Sequence, residues 1–440
     1  MKLNLFTPLA PAATDIAMCV ARFVPAIAKK NDVTLFTDAK EVDETLYPHC
    51  RIVRYERGDL DWRQLNYADM NLYNVGNDAR FHASVMDVAF AHPGVVVMHD
   101  TCIHELMYAT LARNGRCDDR YLSLVERYCP DGLADAKAFL DGKVALCDIA
   151  AKHPMAQWAM EGSVGVVTHN REALQKAVPG IRRPILDTPL PWTSREEMLP
   201  PRSRKRNGGK LEMVICGYLN SPNRRLFETL DAMASFGRKN ELFLHIAGRI
   251  KDEQALREKI EKLGLSDSVR LHGYLSDRAL DDLLDRARLA VNLRWPSMGE
   301  ASGSQLRFWN HSLPTISTKT GWYARQPEGS LFLVDSEHEA ADLHGFWNLA
   351  LDDYEEANSV GLKGREVLEE RHSAEGFAAA LADFQPAVAG YEKKAFVAGL
   401  AERAGRALGR SGLAKEDREM ASVPVANALA GIAGLWGTER

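Results

Sequence analysis

Residues 211–249 read LEMVICGYLNSPNRRLFETLDAMASFGRKNELFLHIAGR, and this stretch decides the fold. The apolar runs Leu211–Cys216 and Leu242–Ala247 are short and bounded by turn residues, which is typical of buried strands. Between them, Arg225–Phe236 has the apolar spacing of a helix. Strands that alternate with helices predict a parallel sheet covered on both faces.

The same alternation continues in both directions along the chain. Downstream, the pattern predicts strands at Val269–Leu271, Leu289–Leu293, Thr315–Ser317 and Leu331–Val334, with helices at Asp252–Leu263, Asp277–Ala287, Ser302–Trp309, Glu337–Leu351 and Tyr354–Arg371. Upstream, it predicts strands at Leu3–Phe6, Val33–Phe36, Met70–Tyr73, Val95–Met98 and Gly165–Thr168, with helices at Ile16–Lys29, Phe81–Phe90 and Leu133–Ala151. The pattern therefore predicts two successive α/β domains.

A polar, basic segment separates the two domains. Residues 200–210, PPRSRKRNGGK, combine two prolines, two glycines and five basic side chains without an acidic neighbour. This composition predicts an interdomain linker. We therefore expect a first domain at 1–199, a second at 211–385, and an Ala-rich helical tail at 386–440.

Composition excludes several classes of protein. The 440 residues carry 55 Lys and Arg against 60 Asp and Glu, and a net charge of −5 argues against a general nucleic-acid binder. No apolar run approaches the ~18–20 residues that span a bilayer, and the amino terminus lacks the order of a signal peptide. The seven scattered cysteines predict reduced thiols in a cytoplasmic protein. The basic linker is also compatible with peripheral contact to a membrane at its inner face.

The stretch after Leu293 predicts an anion site. A strand ends there, and a helix opens at Ser302, Gly303 and Ser304, where free backbone N–H groups and the helix dipole favour a phosphate or diphosphate. Glu300 lies just before the helix, so its carboxylate would face the group beyond the phosphate, which suits a sugar. Such a helix start is also compatible with an ordinary N-cap.

Motifs in fixed order carry a resemblance to a known family. In the second domain they are Phe243–Arg249 (FLHIAGR), Leu263–Asp277, Leu280–Leu284 (LDDLL), Pro296–Glu300 (PSMGE) and Ser312–Ile316 (SLPTI). They resemble the nucleotide-binding half of glycosyltransferase family 4, the group 1 retaining enzymes of GT-B fold. A bacterial subset is similar in further motifs: Met298–Arg307, Gly321–Tyr323 (GWY), Tyr73–Asn77 (YNVGN), Gly94–Asp100 and His104. The resemblance implies two Rossmann-like domains that face a cleft.

The resemblance also implies roles for individual residues. Glu300 would contact the donor sugar, and His99 would approach that sugar from the first domain. The implied donor-binding residues are Gly217, Arg224, Arg225, Gly248, Val269, Gly273, Ser302, Gly303 and Ser304. On the acceptor side they are Tyr73, Asn74, Asn77, Asp100 and His104, of which the first three equally suit a tight turn.

The sequence departs from the family pattern at three places. The family usually has a second Glu eight residues after the first, but here Phe308 holds that place, and Arg307 becomes an alternative phosphate ligand. The first loop carries Asp15 where Gly is expected; this carboxylate would repel a diphosphate or serve as the base of an inverting transfer. Arg325 replaces an acidic residue after the GWY motif.

The sequence therefore predicts a glycosyltransferase that moves a sugar from a UDP- or GDP-type nucleoside diphosphate to an acceptor hydroxyl. We expect retention of configuration and no metal or other cofactor. The acceptor class stays open between glycan, lipid-linked and protein acceptors, with bacterial polysaccharide or glycan assembly favoured by family habit. The alternatives are a non-catalytic binding or scaffold subunit, and inverting transfer with Asp15 as base.

Overall fold

The computed structural model describes residues 1–56, 59–113, 115, 118–192, 209–219, 222–410 and 413–435. The predicted linker at 200–210 lies outside these residues except for Gly209 and Lys210. Two sheets, of seven and six strands, form the centres of the two domains.

The first sheet is entirely parallel, with strand order β3-β2-β1-β4-β5-β6-β7. Its strands are β1 (Lys2–Phe6), β2 (Asp32–Thr37), β3 (Cys50–Arg54), β4 (Met70–Val75), β5 (Val95–Met98), β6 (Gly165–Thr168) and β7 (Ile185–Asp187). Its helices are α1 (Asp15–Ala28), α2 (Trp62–Asn66), α3 (Ala79–Ala91), α4 (His104–Arg113), α5 (Asp118–Tyr128), α6 (Leu133–Leu140), α7 (Leu146–Ala150), α8 (Ala156–Met160) and α9 (Arg171–Ala177). The central strands are buried on both faces, as parallel strands between helices must be.

The second sheet is also parallel, with order β10-β9-β8-β11-β12-β13. Its strands are β8 (Leu211–Tyr218), β9 (Leu242–Arg249), β10 (Val269–Gly273), β11 (Leu289–Asn292), β12 (Thr315–Thr318) and β13 (Phe332–Val334). Its helices are α10 (Leu226–Ser235), α11 (Glu253–Lys262), α12 (Asp277–Arg286), α13 (Gly303–Asn310), α14 (Glu339–Asp352) and α15 (Tyr354–Arg371). The two-domain α/β prediction is confirmed.

The chain returns to the first domain earlier than the predicted boundary at residue 385. Trp192 and Ser373 form an isolated parallel bridge, and the Trp192 N–H donates to the His372 carbonyl at 2.6 Å. The helix that follows, α16 (Ala374–Arg410), buries Phe377 and Leu381 in the core of the first domain against α1. The last helix, α17 (Lys415–Leu435), packs against α16, so the predicted helical tail is confirmed.

The sequence predictions omitted two strands at the edges of the first sheet and merged two of its helices. The strands β3 and β7 were missed because they are half-exposed edge strands with polar residues, which weakens their apolar signal. The single helix predicted at Leu133–Ala151 is wrong, because Gly142 adopts φ +71° and separates α6 from α7.

In the described part of the chain, no helix is long and apolar enough to cross a membrane.

We predict that Gly364→Ala destabilises the protein by about 1–3 kcal/mol through overpacking. A Cβ atom at this position of α15 would lie 2.1 Å from Cδ1 of Trp309, which is fully buried. The matched control is Gly345→Ala in α14, where a Cβ atom meets nothing within 4 Å. That change should stabilise its helix by up to about 1 kcal/mol. Urea unfolding of both variants checks the pair, and equal effects would contradict the packing argument.

Candidate active site

The site lies where the carboxyl ends of the two sheets face each other. The loop after β11 touches the loop after β5: the Cys102 N–H donates to the Met298 carbonyl at 3.1 Å, and the Thr101 hydroxyl lies 3.4 Å from the same oxygen. At Gly299, with φ +80°, a Cβ atom would lie 1.8 Å from Thr101 Oγ1. Glycine is therefore required for the two loops to approach this closely.

Side chains add to this contact between the domains. Arg325 donates to Asn170 Oδ1 at 2.6 Å, and Asn170 in turn donates to the Gly299 carbonyl at 3.3 Å. Arg22 of α1 forms an ion pair with Asp277 of α12 at 3.3 Å. Arg325, one of the departures from the family pattern, thus joins the two domains.

A cavity of about 90 Å³ lies in the seam between α1 and the ends of β8 and β9. Gly217, Gly248, Gly303 and Ser304 line it from the second domain. Gly248 is at φ +152°, and a Cβ atom there would lie 1.9 Å from the Gly217 carbonyl oxygen. The close approach of these two strand ends therefore depends on glycine.

Arg224 places a cation next to two residues that line this cavity, Gly217 and Asp15. Its guanidinium lies within 3.6–3.8 Å of the Cβ position of Gly217, and its side chain is only 11% exposed. Nη2 is 4.0 Å from Asp15 Oδ2, and the buried Nη1 has no hydrogen-bond partner among the described residues. A buried donor without a partner is costly, and an anion in the cavity would remove that cost.

The start of α13 provides neutral donors beside Arg224. Ser302 is the N-cap and its hydroxyl accepts from the Gln305 N–H at 3.1 Å. The N–H groups of Gly303 and Ser304 lie in the first turn, before the intrahelical hydrogen bonds begin. The Ser304 hydroxyl would lie 3.0 Å from a Cβ atom on Gly217, so the serine and Arg224 flank one strand end.

The structure uses two of the predicted phosphate-binding arginines elsewhere. Arg225, at φ +55°, binds the carboxylate of the buried Glu339 through Nε and Nη2, and its Nη1 lies 2.8 Å from Glu228. Arg307 lines the cavity, but its guanidinium is held by Asp277 at 3.0 Å and Asp281 at 2.7 Å. Neither residue brings an uncompensated positive charge to the site.

Glu300 and Asp100 approach each other across the seam. Glu300 is 15% exposed and held within its own loop: Oε2 accepts the Met298 N–H at 2.8 Å, and Oε1 lies 3.6 Å from Arg294 Nε. Asp100 accepts the Asn77 N–H at 2.9 Å. Burial, followed by the negative charge of Glu300, raises the pKa of Asp100 to about 7.

Asp15 also carries a perturbed carboxyl group in the cavity. It lines the cavity, and its side chain is 48% exposed. Burial raises the pKa of Asp15, and the positive charges of Arg294 and Arg307 only partly offset the rise.

His99 points into the first domain and does not reach the cavity beside Arg224. Its Nε2 lies 3.2 Å from Asn74 Oδ1, and its ring packs against that of His169. It lines a small apolar pocket with Phe377 of α16. Burial, with the charges of His169 and His82, holds the pKa of His99 well below its usual range, so the ring is neutral.

Three predicted residues belong to the interior. Tyr73 is fully buried and donates its hydroxyl to the His92 carbonyl at 2.7 Å. His104 lies between the His153 carbonyl and the Tyr121 hydroxyl, at 2.7 and 2.9 Å. Val269 begins β10 and packs in the core of the second domain, at the end of the strand away from the cavity.

The end of β10 contributes a residue that sequence analysis missed. Gly273, at φ +65°, ends the strand and leads into Tyr274, which lines the cavity and is 57% exposed. The guanidinium of Arg249 lies 5.1 Å from the centre of the Tyr274 ring. The signal was present, because an aromatic residue directly after a strand's carboxyl end lies at the ligand edge of a parallel sheet.

The comparison with known families agrees with this architecture. Residues 202–366 match the family model described as "Glycosyl transferases group 1". The match covers most of the second domain, which is therefore similar to the group 1 glycosyltransferases. The predicted class of enzyme, a glycosyltransferase, is thereby confirmed, whereas membership of family 4 stays a prediction. No curated protein sequence matches the chain.

Solved structures share the fold at low sequence identity. HepE of Anabaena, in complex with UDP and glucose, is 14% identical, covers 87% of this chain and 99% of its own, and gives a TM-score of 0.59. Sucrose-phosphate synthase of Thermosynechococcus elongatus is 14% identical, with 87% and 98% coverage and a TM-score of 0.57. WaaG, a glycosyltransferase involved in lipopolysaccharide biosynthesis, is 14% identical over 86% and 98%, with a TM-score of 0.55. The GT-B prediction is confirmed.

We predict that Asp100→Asn removes a pH-dependent loss of stability. Because the folded protein raises the pKa of Asp100 from 3.8 to about 7, unfolding releases a proton between these values and stability falls as pH rises. Between pH 5 and 8 this group should cost about 2–3 kcal/mol, and the variant should lack that part of the slope.

Urea unfolding at pH 5, 6, 7 and 8 measures the slope in each protein. Asp187→Asn, at an exposed position of β7, is the control and should keep the slope of the parent. If the free energy of unfolding depends on pH in the same way in the parent and in Asp100→Asn, the raised pKa of Asp100 is contradicted.

Proposed function

We propose that the protein transfers a sugar from a UDP- or GDP-type nucleoside diphosphate to an acceptor hydroxyl, without a metal or other cofactor. The observation that carries the proposal is the buried Nη1 of Arg224 beside Gly217 and Ser304, which has no hydrogen-bond partner in the part of the chain that the structure describes. Two structures of HepE contain UDP, one with glucose, and a third contains UDP-glucose, which supports a donor of this chemistry.

The leaving diphosphate would lie between Gly217 and the start of α13. Glycine at 217 leaves room for a phosphate oxygen, the N–H groups of Gly303 and Ser304 donate to it, and Arg224 adds charge. Donors that are already in place stabilise the charge that develops as the glycosidic bond breaks. A cation and a helix N-terminus together can neutralise a diphosphate, and this supports transfer without a metal.

The base and the sugar would extend in opposite directions from the diphosphate. Tyr274, with its exposed ring, offers a surface on which a nucleobase can stack. The sugar would reach Glu300 and Asp100, where the first domain meets the second. A carboxyl with a pKa of about 7, as at Asp100, suits proton transfer with an acceptor hydroxyl at neutral pH.

A bound diphosphate would replace the Asp15 carboxylate as the partner of Arg224. In the structure its carboxylate is the anion nearest to the Arg224 guanidinium, at 4.0 Å. A bound diphosphate would compete with the Asp15 carboxylate for this cation, and the burial that raises the pKa of Asp15 makes its charged form easier to displace. The same residue is the candidate base if transfer inverts the anomeric centre.

A second candidate function is a non-catalytic binding or scaffold subunit. It is favoured by the ion pairs that occupy Arg307 and by the carboxylate of Asp15 in the donor cavity. We further propose a cytoplasmic location with peripheral membrane contact, and a role in bacterial surface-glycan assembly. The support for these is the family resemblance and the basic composition of the linker.

We predict that Arg224→Met weakens binding of UDP or GDP about 10- to 100-fold, because a charge-assisted contact to the diphosphate is lost. The neighbouring Arg225→Met leaves Glu339 buried without its partner and should lower thermal stability while keeping the nucleotide Kd within about twofold. Isothermal titration calorimetry with each nucleotide measures the Kd of both variants and so distinguishes the roles of the two arginines. Equal losses of affinity would contradict the assignment of the phosphate site to Arg224.

We predict that purified protein turns over a nucleoside diphosphate sugar and that the product keeps the anomeric configuration of the donor. Glu300→Gln should abolish turnover, whereas Asp187→Asn at an exposed strand position should not. NMR of the anomeric proton gives the configuration. An inverted product would overturn retention in favour of Asp15 as base, and absence of turnover with every donor would favour the binding subunit.

A further inference from the structure

Three side chains outside the cleft form a Cys–His–Asp arrangement in the first domain. Cys129 follows α5, Asp135 lies in α6, and His153 follows α7. Cys129 Sγ is 3.2 Å from His153 Nδ1, and His153 Nε2 is 3.0 Å from Asp135 Oδ2. The imidazole therefore lies between a thiol and a carboxylate, each at hydrogen-bond distance.

The ring of His153 is fixed in this position by its surroundings. A Cβ atom on Gly132 would lie 2.9 Å from His153 Cγ and Nδ1, so the imidazole packs directly over the glycine. The His153 carbonyl accepts from His104 Nδ1 at 2.7 Å, and the Tyr121 hydroxyl lies 2.9 Å from the other nitrogen of His104. His104, predicted as an acceptor-side residue, thus supports this second group of side chains.

The hydrogen bonds determine which nitrogen of His153 can take a proton. The carboxylate of Asp135 accepts from Nε2, so the lone pair of a neutral ring is on Nδ1, which faces the thiol. The hydrogen bond to His153 lowers the pKa of Asp135, and Lys152 at 3.9 Å adds to the effect, so the carboxylate is charged at neutral pH.

The charges around Cys129 determine how its thiolate can form. Burial raises the pKa of Cys129, and the negative charge of Asp131 acts in the same direction. The thiolate therefore needs a cation beside it, and proton transfer to His153 supplies one: an imidazolium that Asp135 stabilises. Cys129 is half-buried at the edge of the core of the first domain, in contrast to the buried Cys102.

We propose that Cys129 is a nucleophilic thiol, with His153 as its base and Asp135 as a positioning residue, that reacts with low-molecular-weight disulfides. In the step, the Sγ proton moves to His153 Nδ1 and the thiolate attacks one sulfur of the disulfide. A new S–S bond forms at Cys129, the S–S bond of the reagent breaks, and the departing thiolate takes the proton from His153. One disulfide and one thiol thus give one mixed disulfide and one thiol. This modification site is independent of sugar transfer.

Cys147 provides an internal control within the same chain. It is exposed, and its sulfur lies near the carboxylate of Asp148, at 3.7 Å. Partial loss of hydration and the negative charges of Asp148 and Glu105 raise the pKa of Cys147. An accessible thiol near acidic groups should react slowly at neutral pH because little of it is thiolate.

The test is the rate of mixed-disulfide formation with oxidised glutathione, measured in the full-length protein at pH 6, 7 and 8. Peptide mass spectrometry gives the rates at Cys129 and Cys147 from one sample. At pH 7 Cys129 should react at least about tenfold faster. From pH 8 to 6 its rate should fall much less than that of Cys147, which should fall about a hundredfold, in proportion to its thiolate. Parallel falls, or no reaction at Cys129, would overturn the proposal.

Variants test the role of each partner. His153→Gln should slow Cys129 to the rate of Cys147 or below, and Asp135→Asn should slow it less and move its pH profile toward that of an ordinary thiol. The rate at Cys147 and the thermal midpoint show whether a variant has kept its fold. Fast reaction at Cys129 in folded His153→Gln would contradict the proposal, and the pH comparison in the parent decides it even where a variant fails to fold.

Discussion

The approach of two loops, one from each sheet, is the constraint on which the candidate site depends. Met298 and Gly299 meet Thr101 and Cys102 so closely that a single Cβ atom at 299 would collide with the Thr101 hydroxyl. This contact brings together the carboxyl ends of two parallel sheets, where ligands bind in folds of this kind. Asp15 faces Arg224, and Asp100 faces Glu300, only because the domains meet there.

Charge in the seam is distributed so that the Arg224 guanidinium remains available to a ligand. Arg22, Arg225 and Arg307 are each held by carboxylates of neighbouring elements. Arg224 differs, since its buried Nη1 has no partner among the described residues and Asp15 is at the limit of an ion pair. A protein with a net charge of −5 thus places the positive charge of Arg224 close to the start of α13. This explains how an acidic chain can hold an anion.

The sequence predicted the positions of strands better than the directions of side chains. Apolar runs located the central strands, the helix start after Leu293 pointed to Glu300, and the family motifs pointed to Gly217 and Asp100. In a strand covered on both faces, however, all residues are buried, so Tyr73 and Asn74 could not be separated from acceptor-facing residues by pattern. Arg224 and Arg225 differ only through the left-handed backbone at 225, which turns the second toward Glu339. The chain returns to the first domain at Ala374 because α16 packs there against α1. The spacing of apolar residues along the sequence does not reveal such a long-range contact.

A crystal structure of the protein with UDP or GDP tests the central claim most directly. The account predicts the diphosphate between Gly217 and the first turn of α13, with a phosphate oxygen at hydrogen-bond distance from Arg224 Nη1 and from a backbone N–H of Gly303 or Ser304. Asp15 should no longer be the anion nearest to Arg224. A diphosphate bound elsewhere, or bound without contact to Arg224, would contradict the account.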